Sequence, residues 1–336
     1  MSGWPRFLRK NLLDLKFKKL KKYKNSFLYL LILSFVLVST SAMAISRSSS
    51  IVVETVPFPT ATPKVFPPNP VLGINTSYPV LSAEGVLAVD LDSGVRLYQK
   101  NPDTPLLPAS TTKIVSALVA LDAYKLDDVL TVGKDVAVDG QKMGLFTGEQ
   151  MTFENLLKAL LVYSANDSAE VLAQDYCSPQ GSAEAGSCGY NAFVAAMNAK
   201  AAELSMTNTH FENPVGLDGS GQFSTARDLI RAAEIAMRNP VFAKIVGMEE
   251  IHITDVSGQY KYDLKNVNQL LGNVPGVKGV KTGWTENARE NLVTYIERDG
   301  HRVMIALLGS NDRFGETKEL IDWIFANYQW QEVRVP

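Results

Sequence analysis

"GVKGVKTGWTENARENLVTYIERDGHRVMIALLG" (residues 276–309) reads as three extended segments. They are "GVKGVKTGW", "NLVTYIER" and "HRVMIALLG", with an Asp299-Gly300 turn signal between the last two. A matching hairpin lies near the start of the body: "GVLAVDL", then Asp92-Ser93-Gly94, then "VRLYQK". Between them the pattern turns helical. One helix begins near Ser110, and others follow as "TFENLLKALLVYS", "NDSAEVLAQDY", "YNAFVAAMNAKAAEL" and "TARDLIRAAEIAMRN". Thr225 followed by Asp228 has the spacing of a capping box. A closing amphipathic helix puts Leu320, Ile321, Ile324, Phe325 and Tyr328 on one face. Strands at both ends with helices between them predict an α+β fold: one antiparallel sheet built from both chain ends, with a helical region inserted.

The formal net charge of -2 over 336 residues conceals an asymmetry. Residues 1–46 carry nine Lys/Arg and one acid, Asp14, so the remainder is acidic. An acidic body argues against nucleic acid as a partner. The basic stretch "KFKKLKKYKN" precedes the uncharged apolar run "SFLYLLILSFVLVSTSAMAIS" (26–46). That order keeps residues 1–25 in the cytoplasm and sends the rest of the chain across the membrane. Residues 26–46 are long enough for a retained transmembrane anchor; the alternative is a signal peptide cleaved near Ala44. Residues 47–74 include "VETVPFPTATPKVFPPNP", a Pro-rich linker, and residues 75–336 form the body.

Cys177 and Cys188 are the only cysteines and bracket "SPQGSAEAGS". A short Gly/Ser/Ala loop between two thiols of an exported domain reads as closed by a disulfide; two unpaired buried thiols are the alternative. A zinc site would need further ligands, and the three histidines, His210, His252 and His301, are scattered. No metal or other cofactor is expected.

The chemistry is carried by three short motifs. In "PASTTK" (108–113), Ser110 and Lys113 are i and i+3 on one helical face. A serine hydroxyl needs a base, and lysine can be one only when burial, a nearby cation or a helix N-terminus lowers its pKa. A lysine at a helix start opposes the macrodipole, a cost that such a role would explain. "VYSANDSAEVL" presents Ser164 and Asn166 in a turn between helices. "GVKGVKTGWTEN" presents Lys281, Thr282 and Gly283 on a strand, where a cation, a hydroxyl and a glycine could bind an anion with close backbone approach.

Ser-x-x-Lys, Ser-x-Asn and Lys-Thr-Gly in this order form a known motif set. Together with "NTHFENPVGLDG" and "STARDL", they make residues 75–330 resemble the serine D-alanyl-D-alanine carboxypeptidases, the low-molecular-mass penicillin-binding proteins. The resemblance implies a DD-peptidase/β-lactamase-like fold, a peptidoglycan stem peptide as substrate and β-lactams as covalent inhibitors. It casts Ser110 as nucleophile and Lys113 as its base. Ser164, positioned by Asn166 and near Lys281, would pass a proton to the departing D-alanine. Lys281 and Thr282 would hold the terminal carboxylate, and the N–H groups of Ser110 and Trp284 would form the oxyanion hole. Arg313, in "SNDRFGETKEL", falls where relatives have a basic residue that assists. A D,D-endopeptidase would use the same residues, as would a domain that is acylated by β-lactams without turnover. A class A β-lactamase would need a deacylating glutamate, and Glu203 lacks that context. Where the family has an alanine–glycine pair after the third motif, this chain has Ala288 followed by Arg289 and Glu290. Trp284 is bulky for its place and is expected to narrow the site or stack on substrate.

Overall fold

The computed structural model describes residues 67–332 apart from 75, 135, 137 and 180–185. The expected cytoplasmic, anchor and linker segments lie outside these residues up to position 66. Among the described residues no helix is long and apolar enough to cross a membrane.

The chain begins with β1 (Asn69–Leu72), β2 (Gly85–Asp90) and β3 (Arg96–Lys100). A 3-10 turn (Ala109–Thr112) leads into α1 (Lys113–Ala123), followed by β4 (Val129–Thr131) and β5 (Gln150–Thr152). Next come α2 (Phe153–Lys158), a π turn (Ala159–Tyr163), α3 (Asn166–Asp175), α4 (Tyr190–Glu203), α5 (Ala226–Arg238) and α6 (Pro240–Val246). The hairpin β6 (Glu250–Thr254) and β7 (Lys261–Lys265) precedes β8 (Val277–Thr285), β9 (Arg289–Arg298) and β10 (His301–Ser310). The last elements are α7 (Arg313–Asn327) and β11 (Tyr328–Gln331).

The main sheet has the order β3-β2-β10-β9-β8, with each neighbouring pair antiparallel. Its strands come from the two ends of the body, as the sequence predicts. Both faces are covered. On one, Val303, Ile305 and Leu307 of β10 pack with Leu320, Ile321 and Ile324 of α7. On the other, Met304, Ala306 and Leu308 join the helical middle, including Ile114, Leu160 and Leu229. Double coverage is why β10 reads as a continuous apolar run rather than an alternating one. Each fully buried Leu or Ile contributes about 1.5–3 kcal/mol.

Thr225 caps α5 by accepting from the Asp228 N–H at 3.1 Å, while the Asp228 carboxylate turns instead to Asn208, Thr209 and Arg231. Cys177 and Cys188 form a disulfide. Two readings change at the termini. Residues 69–72, placed at the end of the Pro-rich linker, form β1, which pairs antiparallel with β11. Tyr328 is not on the closing helix: it begins β11, and its hydroxyl donates to the Leu97 carbonyl at 2.7 Å.

Candidate active site

Ser110 lies in the 3-10 turn ahead of α1, half-buried, next to Ala109, whose φ of 48° is left-handed. Strain of this kind costs about 1–3 kcal/mol and persists only where surrounding contacts enforce it. Two glycines make those contacts. A Cβ on Gly283 of β8 would stand 2.9 Å from the Ser110 nitrogen and 3.0 Å from that of Thr111. A Cβ on Gly216, at φ 90°, would stand 1.8 Å from the Ala109 oxygen. The glycine of the third motif therefore admits the serine's own turn, and it also lines the cleft.

Lys113, the first residue of α1, is completely buried. Its Nζ lies 2.8 Å from Ser110 Oγ, 2.6 Å from Asn166 Oδ1 and 2.7 Å from the Val215 carbonyl oxygen. Burial drives its pKa well below the usual lysine value, helped by the Lys281 cation and opposed by Asp167 and Glu170.

Ser164 ends the π turn in a left-handed conformation, φ 64°. This aims its hydroxyl across the cleft, where Lys281 Nζ donates to Ser164 Oγ at 2.8 Å and to the Thr282 carbonyl at 2.9 Å. Burial lowers the Lys281 pKa to about 7, and the nearby Arg313 charge contributes. Asn166 is bonded to Lys113 and to the Asp139 carbonyl (2.5 Å), not to Ser164. Next to it, the buried Asp167 carboxylate accepts from the N–H groups of Met143, Gly144 and Leu145, which fixes the loop beside the cleft.

These groups surround a cleft of about 580 Å³ whose walls include Ser110, Ser164, Asn166, Leu217, Thr282, Trp284 and Arg313. Lys281 is not among the lining residues; its Nζ donates to Ser164 Oγ and to the Thr282 carbonyl. Arg313, the first residue of α7, donates from Nη1 to the Gly283 carbonyl at 2.9 Å, while its buried Nε has no partner among the described residues. The departures after the third motif are local. Arg289 takes a left-handed φ of 58° and pairs with Glu84 at 3.0 Å, and Glu290 accepts from the Arg313 N–H at 2.8 Å. The indole of Trp284 is 61% exposed on the cleft wall.

Sequence reasoning does not find the Val215 and Asp139 carbonyls or the loop clamp of Asp167. Backbone acceptors carry no side-chain signature, although "NTHFENPVGLDG" flags the segment that holds Val215.

A serine hydroxyl against a desolvated lysine, with a second lysine–serine pair across one cleft, defines a serine hydrolase. Residues 73–312 match the family model described as D-alanyl-D-alanine carboxypeptidase, peptidase family S11, and the chain belongs to that family. It is 37% identical to D-alanyl-D-alanine carboxypeptidase DacB2 of Mycobacterium tuberculosis, the alignment covering 73% of this chain and 82% of the relative. It is 32% identical to DacF of Bacillus subtilis, covering 76% of this chain and 66% of that one. Among solved structures, the Streptomyces K15 DD-transpeptidase superposes with a TM-score of 0.69 at 31% identity, covering 75% of this chain and 100% of the other.

Proposed function

We propose that this protein is a serine D-alanyl-D-alanine carboxypeptidase that removes the terminal D-alanine of peptidoglycan stem pentapeptides through an acyl-enzyme. The observation that carries the reading is the environment of Lys113 Nζ. A neutral amine has two N–H groups and one lone pair. With Asn166 Oδ1 and the Val215 carbonyl taking the N–H groups, the lone pair is left for the Ser110 hydroxyl.

Ser110 Oγ attacks the carbonyl between the last two D-alanines as its proton passes to Lys113. The oxyanion that forms is held by the backbone N–H groups of Ser110 and Trp284. The C–N bond then breaks, and the leaving amine takes a proton from the Ser164 hydroxyl, which Lys281 resupplies across their 2.8 Å contact. Water hydrolyses the ester and frees Ser110. The substrate's terminal carboxylate is met by the Thr282 hydroxyl and by the guanidinium of Arg313. Both line the cleft. A β-lactam presents its amide to the same hydroxyl and acylates it. The basic-then-apolar order of residues 1–46 supports an enzyme held on the outer face of the membrane by that segment.

Steady release of D-alanine from a pentapeptide analogue is the test. Acylation by fluorescent penicillin without release would make the domain a sensor, and release only from a crosslinked dimer would make it an endopeptidase. Ser110→Ala is expected to abolish penicillin labelling, and persistent labelling would remove Ser110 as the nucleophile.

A further inference from the structure

One partner of Lys113 Nζ is a backbone atom, the Val215 carbonyl oxygen, at 2.7 Å. That carbonyl shares a planar trans peptide unit with the Gly216 N–H, so the two point in opposite directions. Whatever grips the N–H therefore sets the aim of the carbonyl. The grip is the side chain of Asn213. Its Oδ1 accepts from the N–H groups of Gly216 at 2.7 Å and Leu217 at 3.0 Å, and its Nδ2 donates to the Leu217 carbonyl at 2.9 Å. The short loop thus closes on one amide, as Asx turns do. Gln222, almost completely buried, ties this loop to the Ser110 turn. Its Oε1 accepts from the Glu212 N–H at 2.7 Å, and its Nε2 donates at 3.1 Å to the hydroxyl of Thr112, the residue before Lys113. Ser116, further along α1, donates to the Pro214 carbonyl at 2.7 Å. Neither Asn213 nor Gln222 lines the cleft, so neither touches the substrate.

We infer that Asn213 is a positioning residue for the reaction: it aims the Val215 carbonyl at Lys113 Nζ, and Gln222 holds that carbonyl at bonding distance. The inference rests on the reading of Lys113 as the base of Ser110. A neutral amine turns about its Cε–Nζ bond unless its N–H groups are held. With Asn166 Oδ1 and the Val215 carbonyl both in place, the lone pair is what faces Ser110 Oγ. When the 215–216 peptide unit swings away, one N–H is released and turns toward the serine oxygen. The lone pair then points elsewhere, and the hydroxyl has no base. Thr282 and Arg313, which meet the substrate's carboxylate, lie on β8 and α7, so the loss falls on the chemical step and not on binding.

The test is rapid-mixing acylation by a fluorescent penicillin, which separates the dissociation constant of the first complex from the acylation rate constant. The full-length protein is compared with Asn213→Asp, Asn213→Ser and Asn213→Leu on the high-pH plateau, where Lys113 is neutral in each. The first variant keeps an oxygen of the same reach, the second offers a shorter and weaker acceptor, and the third offers none. The rate constant should fall in that order. Asn213→Asp should stay within about threefold of wild type and Asn213→Leu should lose about ten- to a hundredfold, the scale of a misplaced reacting group. The dissociation constant should stay within about twofold throughout, as expected when only the transition state is affected. If Asn213→Leu does not fold, Asn213→Asp against Asn213→Ser carries the same comparison. Equal rate constants across the series overturn the assignment, as does a loss that Asn213→Asp fails to recover or one that falls on the dissociation constant. A wild-type protein that is not acylated at all removes the reading of Lys113 as base, and the positioning role with it.

Discussion

Asn166 Oδ1 stands 2.6 Å from Lys113 Nζ, while the Asn166 amide nitrogen donates to the Asp139 carbonyl at 2.5 Å. One amide thus fixes the base and ties it to the wall of the cleft. Because the amide is uncharged, it orients Lys113 while favouring the ammonium form far less than a carboxylate would, and burial with the Lys281 cation keeps the pKa low.

Replacing that amide with a carboxylate should reverse the balance. In Asn166→Asp an anion beside Nζ favours the charged lysine and raises its pKa. Acylation requires the neutral amine, so the acid limb of the penicillin-acylation profile should move to higher pH. Below that limb the rate should fall about tenfold per pH unit, as for any single required deprotonation. Asn166→Ala, which loses the same contacts without adding charge, should be slow but show no upward shift. An unmoved limb in Asn166→Asp would mean that Lys113 does not take the proton.

The glycines that grip the Ser110 turn should differ in sensitivity. A methyl at Gly216 meets the Ala109 oxygen at 1.8 Å from a left-handed backbone, so Gly216→Ala should lower stability by about 2–4 kcal/mol or prevent folding. At Gly283 the nearest atoms are 2.9 Å away and φ is ordinary. Gly283→Ala should therefore fold, with a modest loss in Tm and a larger loss in acylation rate. Equal Tm losses in the two variants would refute this ranking.

Glu170 gives a stability effect that depends on pH. Burial pushes its carboxyl up to about 7 from 4.5, against the opposing influence of a Gln174 hydrogen bond and of Lys113. A group whose folded pKa is raised contributes stability that is fully present below the unfolded value and lost as pH rises through the folded one. The Tm advantage of Glu170→Gln over wild type should therefore grow between pH 4.5 and 8. A constant difference across that range would show that the carboxyl does not titrate in the fold as described.

The Cys177–Cys188 bridge closes a short loop, and none of the described residues between 177 and 188 lines the cleft. Replacing both cysteines with serine should cost about 2–3 kcal/mol, the usual effect of opening a loop of this length. Penicillin acylation at a temperature well below Tm should be unchanged. A slower acylation would connect the loop to the site.

Much of this architecture can be read from the residues alone. Strand patterns at both ends of the body anticipate the main sheet, and the i, i+3 spacing of Ser110 and Lys113 anticipates their contact even though the serine sits in a 3-10 turn rather than α-helix. Three-residue strands such as Val129–Thr131 are too short to show a period, and the β1–β11 pair joins chain positions that nothing local connects. The partner of Asn166 is hidden for a different reason. The motif order suggests that neighbours in sequence, Ser164 and Asn166, serve each other, whereas the π turn and the left-handed Ser164 send the two side chains to different lysines. Acceptors such as the Val215 carbonyl emerge only once the chain has folded back on itself.

That last contact reaches 102 positions along the chain from Lys113, and the strand pressed against the Ser110 turn comes later still. A nascent or partly threaded polypeptide therefore holds an unarmed alcohol and an ordinary solvated lysine. Capture of a fluorescent penicillin during refolding can then serve as a clock, counting molecule by molecule the moment at which the last strands close over the first helix.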